Sequence, residues 1–470
     1  MRIHAAAARL ASALVGIGLT AIAARALDDG DLDPSFGDQG SAFRVVQPSS
    51  VTFQVQGLDV ARDGAIAISG DLQFGTTNAT DFAVCFFYPT SGCGSYDFHL
   101  GGSNDDENVG GIAYLPDGKY VLAGIAAGPA ADPPDRAALV EYDASNVVNT
   151  GFGNQGQLTV DFAGEAQIDA VESRGNGDIV FAGYFDHGAQ APGTGDDCLV
   201  GRVSESGAPD PGFGSSGLAT VGFDQGDSND DACVAVTTDV EGRVVVAGAA
   251  TRADGSTDFA IARLTGAGQL DTSFAGGGKR VLPFDQGGGN DDFATAVAVD
   301  RADRIVAAGL VDTAGGQQVG VVRLLPDGNL DDSFNGTGMR TFSISAAGDD
   351  VTDVRAMRIL SPLSNDIVIA GTYAPVLNAT KTFIAVLHDD GSFDVSFSGD
   401  GKQHIDVPNL EPVNYAGGLA LWGGEILVGG GFSSFGQDRD KGWVTRLFMH
   451  QISGDDFESG DFRFWSSHLP

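Results

Sequence analysis

One short pattern centred on a phenylalanine returns along the chain at a nearly constant interval, and it limits the possible folds more than any other feature. Its six copies read LDPSFGDQG (32–40), VNTGFGNQG (148–156), PDPGFGSSG (209–217), LDTSFAGGG (270–278), LDDSFNGTG (330–338) and FDVSFSGDG (393–401). The central phenylalanines are 116, 61, 61, 60 and 63 residues apart. Because the first interval is close to twice the others, we expect a decayed copy near residue 93. Such a period means that one supersecondary unit is copied along the chain.

Each unit contains four short apolar runs separated by turn residues. Within residues 294–344, ATAVAVD, IVAAGLV and VGVVRLL precede the phenylalanine loop, and MRTFSI follows it. Short runs of small and β-branched residues divided by Gly and Asp are typical of strands and tight turns. No stretch shows a sustained helical period with caps. The sequence therefore predicts an all-β fold, a seven-bladed β-propeller with four antiparallel strands per blade.

The two ends of the repeat region predict how the ring closes. The strand SAFRVV (41–46) follows the first phenylalanine loop and has no blade before it, whereas the last unit ends at WVTRLF (443–448) and lacks that loop. We therefore expect the N-terminal strand to be the outermost strand of the last blade, which removes two exposed sheet edges. An open solenoid of stacked units is the alternative.

The units resemble a known repeat family. GRVVVAG, followed by DFAIARLTGAGQLDTSFAGGGKRVLPF within residues 242–284, is similar to the delta-60 repeats of bacterial secreted proteins. The resemblance extends over about residues 57–449, and the first and second copies are degenerate. It implies a propeller-like β fold and no established activity.

Charge narrows the range of partners. The 470 residues include 63 Asp+Glu against 26 Lys+Arg, which gives a formal net charge of −37. An acidic chain repels phosphate backbones, so a nucleic-acid partner is excluded. A hydrophobic content of 42% is enough for a sizeable core. We expect a monomer without a membrane span, whose partner is an unidentified protein or glycan.

The N-terminal residues predict where the protein is located. Residues 1–26 combine early arginines, an apolar run (10–24) and the small-residue pattern that ends at Ala26, which indicates a secretory signal cleaved there. The run is too short to span a bilayer. The mature protein should therefore be periplasmic, cell-surface or extracellular. Residues 27–450 then form one propeller domain, and residues 451–470 form a tail that is either a sorting tag or a strand packed on the last blade.

Several polar residues recur with the phenylalanine loop, and we interpret them as structural. They are Asp33, Asp271, Asp331 and Asp394, then Ser35, Ser273, Ser333 and Ser396, and on the third strand Arg202, Arg263, Arg323 and Arg446. The Asp and Ser side chains can accept backbone N–H bonds and fix the turn. Each arginine should pair with a carboxylate, and each phenylalanine should be buried between neighbouring sheets.

A second acidic pattern precedes the first strand of several blades and is the candidate metal site. Its members are Asp105, Asp106, Asp230, Asp231, Asp291, Asp292, Asp349 and Asp350. First strands line the channel of a propeller, so these loops are expected to crowd carboxylates at one mouth. Such loops suit Ca²⁺, which takes six to eight oxygen ligands. The alternative is that these side chains cap turns and add solubility, and no cofactor is required.

The four cysteines predict disulfides rather than a metal centre. Cys85 and Cys93 fall in one blade across the turn between its third and fourth strands, so a local disulfide is expected. Cys198 and Cys233 fall on adjacent blades, and whether they pair depends on their separation. The absence of a CxxC motif or Cys/His cluster argues against zinc.

No motif in the sequence establishes catalysis. It contains no GxSxG elbow, no P-loop and no HExxH. We therefore expect a secreted, non-catalytic binding or structural module, without settling whether it is an enzyme. A calcium-assisted hydrolase or lyase at the channel mouth is the alternative, and an adhesin presenting the loops 125–136 and 186–197 is a third reading. An enzyme should show one asymmetric cluster of perturbed carboxylates on one or two blades, whereas a binding module should show near-uniform acidic rings.

Overall fold

The chain folds as a seven-bladed propeller, as the repeat predicts. The computed structural model describes residues 32–33, 36, 41–45, 51–74, 80–88, 92–98, 107–127, 135–160, 164–187, 195–225, 230–345, 350–360, 364–376, 379–406, 414–432 and 441–447. These residues form seven four-stranded antiparallel sheets and no helix, so none of them provides a membrane-spanning helix. The predicted signal (1–26) and the predicted tail (451–470) lie outside the described residues.

Each blade consists of four strands that we call first to fourth from the channel outward. The first strands are β2 (Val51–Val60), β6 (Glu107–Tyr114), β10 (Ala166–Ser173), β14 (Asp231–Thr238), β18 (Asp292–Val299), β22 (Asp350–Ile359) and β26 (Asn414–Trp422). The second strands are β3 (Ile66–Phe74), β7 (Tyr120–Ala126), β11 (Ile179–Asp186), β15 (Val244–Thr251), β19 (Ile305–Thr313), β23 (Ile367–Val376) and β27 (Glu425–Phe432). The third strands are β4 (Thr80–Tyr88), β8 (Arg136–Tyr142), β12 (Asp196–Val203), β16 (Thr257–Leu264), β20 (Gly316–Leu324), β24 (Ala379–Leu387) and β28 (Lys441–Leu447). The fourth strands are β5 (Gly92–Tyr96), β9 (Gln157–Val160), β13 (Leu218–Val221), β17 (Lys279–Leu282), β21 (Met339–Phe342), β25 (Lys402–Ile405) and, from the N-terminus, β1 (Ser41–Val45).

The N-terminal strand closes the ring, as predicted. Strand β1 pairs with β28 antiparallel, and Ser41 lies opposite Thr445 with their hydroxyl oxygens 2.7 Å apart. The preceding loop also reaches the last blade, because the Asp33 N–H donates to the Arg446 carbonyl at 2.9 Å. The last blade is therefore built from both ends of the chain, which is what a closed propeller needs to avoid free edges.

The hydrophobic core lies between neighbouring blades. One cluster joins Val180 and Val200 of the third blade to Val244 and Val246 of the fourth, with the loop residue Phe213 fully buried among them. Clusters of this kind fill the spaces from blade to blade around the ring. Because each blade buries both faces, its strands read as nearly continuous apolar runs.

The repeated phenylalanine loop fastens each blade to the next. Phe274 is fully buried, and the guanidinium of Arg263 lies 5.0 Å from its ring centre. Arg263 Nε donates to Asp271 Oδ2 at 2.8 Å, and the N–H of Ala275 donates to the Asp327 carbonyl of the next blade at 2.8 Å. The same arginine-over-phenylalanine contact occurs at Arg202–Phe213, Arg323–Phe334 and Arg446–Phe36. The predicted arginine–carboxylate pairs and aspartate-fixed turns are confirmed, but Phe36 is only half-buried. The Ser273 hydroxyl does not accept a backbone N–H group as predicted: it donates to Asp271 Oδ1 and accepts from Arg263 Nη2.

All four cysteines form disulfides. Cys85 of β4 lies directly opposite Cys93 of β5 and is bonded to it, as expected. Cys198 of β12 is bonded to Cys233 of β14, with their Cα atoms 5.0 Å apart. The second bond, which the sequence left open, links the third and fourth blades.

Candidate functional site

The first strands line a central channel, and each of them carries a β-bulge at the same place. The bulge residues, which have no partner on the second strand, are Gln56, Gly110, Asp169, Val234, Thr295, Arg355 and Gly417. Strand β22 has a second irregularity, at Thr352, three residues before Arg355. All seven bulge residues border one cavity of about 600 Å³, which we call the bulge compartment. Bulges redirect a side chain and are frequent beside functional sites. The seven bulge residues thus form a ring around this cavity.

A glycine on each second strand makes the bulge possible. These glycines, each opposite the residue that precedes the bulge, are Gly70, Gly124, Gly183, Gly248, Gly309, Gly371 and Gly430. A Cβ on any of them would overlap a backbone carbonyl oxygen of the first strand. A glycine inside a strand often marks such a close backbone approach, and here it explains why the bulge is kept in every blade.

The two positions after the bulge are uniform and pack one blade on the next. The first is always small, at Gly57, Gly111, Ala170, Ala235, Ala296, Ala356 and Gly418. The second is always aliphatic or Met, at Leu58, Ile112, Val171, Val236, Val297, Met357 and Leu419. A Cβ on Gly57 would lie 3.1 Å from Ile112 of the next blade, and one on Gly111 would lie 3.3 Å from Val171. Packing therefore fixes these two positions, whereas the bulge residue itself varies.

Carboxylates lie on three of the blades that border the bulge compartment. Asp71 comes from β3 of the first blade, Asp169 is the bulge residue of the third, and Asp353 lies two residues before the bulge of the sixth. The fourth and fifth blades, which stand between Asp169 and Asp353, contribute the apolar side chains of Val234 and Phe293 to the wall. The compartment is thus acidic on some blades and apolar on others.

Besides Arg358, the bulge compartment is bordered by a second cation, Arg355. Its Nη2 donates to the backbone oxygen of Gln56 at 2.5 Å and to Gln56 Oε1 at 2.6 Å, and its Nε points to the Gly417 carbonyl at 3.4 Å. The side chain passes the seventh blade, where Gly417 has no side chain, to reach the first blade. Its hydrogen bonds therefore go to neutral oxygens, and it forms no ion pair among the described residues.

Burial perturbs the carboxyl groups around this arginine. Burial raises the pKa of Asp71 to about 6, although its carboxylate accepts hydrogen bonds from the Val109 N–H at 2.6 Å and from Gln56 Nε2 at 3.1 Å. Burial likewise raises the pKa of Asp169 to about 6 and the pKa of Asp353. The positive charge of Arg355 lowers all three pKa values but does not cancel the effect of burial.

Only one of the two carboxylate oxygens of Asp169 accepts a hydrogen bond. Its Oδ1 accepts a hydrogen bond from Gln167 Nε2 at 2.5 Å. Its Oδ2 is buried and has no hydrogen-bond partner. A buried polar atom without a partner destabilises the fold by about 1–3 kcal/mol, so a residue that keeps such an atom invites a functional explanation.

The other end of the channel holds a second cluster of charged residues, whose carboxylates accept hydrogen bonds from neighbouring first strands. Asp59, Glu172 and Arg358 border a cavity of about 490 Å³ there. Asp59 Oδ2 accepts the Tyr114 N–H at 2.7 Å, and Glu172 Oε1 accepts the Thr238 hydroxyl at 2.7 Å. Burial raises the pKa of both carboxyls. Their partners on the neighbouring first strands indicate a structural role.

The structure gives the buried members of the predicted metal pattern backbone partners. Asp231 is fully buried, and its Oδ2 accepts the N–H groups of Phe223 at 2.5 Å and Asp224 at 3.2 Å. Asp292 Oδ2 accepts the Phe284 N–H at 2.9 Å. The donors follow the fourth strand of the preceding blade, so these side chains connect blades.

The exposed members of that pattern lie at the start of a first strand or directly before it. Asp230 and Asp291 are exposed, and their Oδ1 atoms accept the N–H groups of Asp196 at 3.4 Å and Thr257 at 3.3 Å. Asp350 is also exposed. None of the five described members borders the bulge compartment. The other three, Asp105, Asp106 and Asp349, lie outside the described residues.

Three other acids are close enough to hold an ion, but an arginine occupies their centre. Asp239, Glu241 and Asp303 are the one such group among the described residues. Arg243 Nε donates to Asp239 at 2.5 Å, Arg243 Nη2 donates to Glu241 at 2.8 Å, and the same nitrogen pairs with Asp303. The guanidinium thus supplies the positive charge that a metal would bring.

These contacts predict the response to metal removal. Because the buried carboxylates of Asp231 and Asp292 already bind backbone N–H groups, we expect EDTA to leave the melting temperature unchanged in thermal denaturation. Titration of Ca²⁺ into the EDTA-treated protein is the matching measurement. A rise of several degrees on adding Ca²⁺ would restore the calcium interpretation of the acidic loops.

Sequence reasoning missed the residues of the bulge compartment. Asp71, Asp169, Asp353 and Arg355 do not belong to the phenylalanine loop or to the acidic pattern, and they recur nowhere. The glycine of the second strand is the sequence feature that could have revealed them. When the seven units are aligned on that glycine, the bulge position varies widely, whereas the two positions after it are nearly uniform.

Comparisons with known proteins support the fold. Residues 242–274 and 302–334 match the family described as "Domain of unknown function (DUF5122) beta-propeller". Each match begins just before the second strand and ends at the loop phenylalanine, so it covers part of one unit, and together they touch two of the seven units. The family match does not test the resemblance to delta-60 repeats. No curated protein matches the sequence.

Three solved structures show a weak similarity to this chain. Virginiamycin B lyase from Staphylococcus aureus is 11% identical, with 87% of this chain and 99% of that chain covered and a TM-score of 0.46. Sqt1 from Chaetomium thermophilum is 11% identical over 85% and 96% of the two chains, with a TM-score of 0.43. An ulvan lyase is 14% identical over 90% and 94%, with a TM-score of 0.41.

Proposed function

We propose that the protein is a binding module for a small polar molecule, which it holds in the bulge compartment. One observation carries the proposal: the seven equivalent bulge positions hold residues as different as Asp, Arg, Gln, Val and Gly, although the two positions that follow them are nearly uniform from blade to blade. Packing between blades does not require this variation. A cavity of about 600 Å³ also falls in the usual range of small-molecule sites.

The compartment has both donors and acceptors for such a molecule. Gln54, Asn108 and Gln167 occupy the position two residues before the bulge on three blades and border the same cavity. With Asp353 at that position in the sixth blade, they place amide and carboxylate groups around a single opening. A few convergent polar groups on a partly apolar wall are typical of ligand sites.

The arrangement of acids around the compartment matches neither the near-uniform ring expected of a binding module nor the cluster on one or two blades expected of an enzyme. The acids do not form a uniform ring, which a generic binding module should show. They also come from three blades rather than from one or two, which an enzyme should show. Binding is the simpler function that such an asymmetric wall performs. We place the protein outside the cytoplasm because of residues 1–26, so its ligand would be an extracellular or periplasmic solute, such as a glycan fragment.

Filling the cavity tests the proposal. Val234→Trp adds bulk at a bulge residue without changing any charge in the compartment. In a thermal-shift screen of polar metabolites, we expect a ligand at about 100 times its dissociation constant to raise the melting temperature of the unmodified protein by about 3 °C. The same ligand should leave Val234→Trp unshifted.

The matched control is Val240→Trp, at a residue that is 88% exposed on a turn. It should respond to the ligand like the unmodified protein. A ligand that stabilises all three proteins equally would place binding elsewhere on the surface and contradict the proposal.

A hydrolase or lyase that uses the same compartment is the second candidate. It is favoured by the pKa of about 6 of both Asp71 and Asp169, because a general acid or base works best when its pKa lies near the working pH. We expect any turnover on a panel of glycans and lactones to be lost in Asp169→Asn. Turnover that persists in this variant would exclude Asp169 from the chemistry.

A further inference from the structure

The bulge compartment carries more negative charge than its own cations balance. Three carboxylates, those of Asp71, Asp169 and Asp353, border it with two guanidinium groups, those of Arg355 and Arg358. Arg355 donates its hydrogen bonds to oxygens of Gln56 and Gly417, and Arg358 donates to the Met357 carbonyl at 2.9 Å, so neither arginine is hydrogen-bonded to the acids. In the described part of the chain none of the three carboxylates forms an ion pair. A ligand that enters this cavity would therefore gain most by bringing positive charge.

A metal ion does not fit these carboxylates. The three acids are not among the groups whose oxygens all lie within 4.8 Å of one another, as far as the described residues reach. A single ion could not touch all of them, because metal–oxygen bonds are about 2.0–2.6 Å long. A larger cation, whose charged and uncharged parts span the cavity, can reach separate acids.

Two features of the wall define the cation further. Asp169 Oδ2 is buried without a hydrogen-bond partner, so it can accept an N–H donor that the protein does not supply. Beside it along the ring, Val234 and Phe293 offer an apolar surface and an aromatic ring. Aromatic faces attract ammonium groups, and apolar walls bury hydrocarbon.

We propose that the bulge compartment binds an organic ammonium compound, whose N–H groups donate to Asp169 and its neighbouring carboxylates and whose hydrocarbon part lies against Phe293 and Val234. This inference rests on the proposed binding function and names its ligand class. Arg355 limits the number of positive charges that the ligand can carry. It also holds the first and sixth blades in place around the site.

Calorimetric titration with amines and their neutral analogues tests the ligand class. The probes are 1,5-diaminopentane and phenethylamine, each paired with the corresponding alcohol, 1,5-pentanediol or 2-phenylethanol, at pH 7.5 and low salt. We expect each amine to bind at least tenfold more tightly than its alcohol. In Asp169→Asn, amine affinity should fall at least tenfold.

Asp291→Asn is the charge-matched control, since Asp291 is exposed and does not border the compartment. It separates binding at the site from attraction to the acidic surface, and its amine affinity should equal that of the unmodified protein. Equal losses in the two variants, or no amine binding at all, would overturn the inference. Alcohols that bind as tightly as amines and are blocked by Val234→Trp would overturn it too, yet they would leave the proposed binding function intact.

Acidification provides an independent readout. The charged groups that border the site are Asp71, Asp169, Asp353, Arg355 and Arg358. The phenol of Tyr415, whose pKa burial raises to about 12, lies near Arg355 and Asp71. Between pH 7.5 and pH 5, Asp71 and Asp169 gain protons, so amine affinity should fall several-fold. An affinity that stays constant over this interval would contradict the assignment of the ammonium group to these acids.

Discussion

Asp169→Asn is expected to stabilise the protein by about 2–3 kcal/mol at pH 7.5. Burial raises the pKa of Asp169 to about 6, so the ionised carboxylate is less stable in the folded chain than in the unfolded one. Asn cannot ionise, and its oxygen can still accept the hydrogen bond from Gln167. The gain should be fully present above pH 6, shrink as the pH falls through 6, and vanish near pH 4. Urea denaturation at a series of pH values measures it.

The same Asp291→Asn variant serves as the control for stability. Its side chain is exposed, so we expect a change within about 0.5 kcal/mol at every pH. If Asp169→Asn proved destabilising at pH 7.5, the carboxylate would contribute to the fold rather than strain it. A variant that is more stable but binds less is the behaviour expected of a residue kept for function.

Arg323→Met is expected to destabilise the protein by about 3–5 kcal/mol in the same assay. Arg323 is 1% exposed, its Nε donates to Asp331 Oδ2 at 2.8 Å, and its Nη2 donates to the Ser333 hydroxyl at 2.8 Å. It also reaches Asp389 Oδ1 of the next blade at 2.8 Å. Removing it leaves the buried carboxylate of Asp331 with only the more distant guanidinium of Arg304, whose Nη1 lies 3.6 Å from Oδ2.

Two variants isolate the cause of that loss. Adding Asp331→Asn to Arg323→Met should recover part of the stability, because the buried charge that lost its nearest partner is then gone. Lys381→Met breaks an ion pair of similar length, 2.7 Å to Asp406, whose acid is 72% exposed. This change should reduce the free energy of unfolding by less than about 1 kcal/mol. Equal losses at the two sites would show that burial does not decide the strength of these pairs.

The fold could be predicted from the sequence because its determinants are copied. The phenylalanine loop packs between blades in six of the seven units, so Phe274 and its equivalents recur at a nearly constant interval and reveal the unit. The closing strand followed from counting strands at both ends, and β1 does pair with β28. Residues that pack between blades therefore recur along the chain, and this recurrence makes the fold predictable.

The candidate site could not be predicted in this way, because its residues are the ones that repetition does not fix. Asp169 and Arg355 occupy the same bulge position but carry opposite charges, so neither is part of a recurring pattern. A β-bulge also shifts the alternation of side chains, and a strand read with a strict period of two does not show it. The acids that did recur, such as Asp231 and Asp292, bind backbone amides between blades.

The most direct test of the binding site is a crystal structure of the protein with a compound selected in the thermal-shift screen. We predict electron density for the compound inside the bulge compartment, within hydrogen-bonding distance of Asp169 and in contact with Phe293. Density for the compound on the outer loops, with the compartment holding only solvent, would contradict the assignment of the ligand site to the channel.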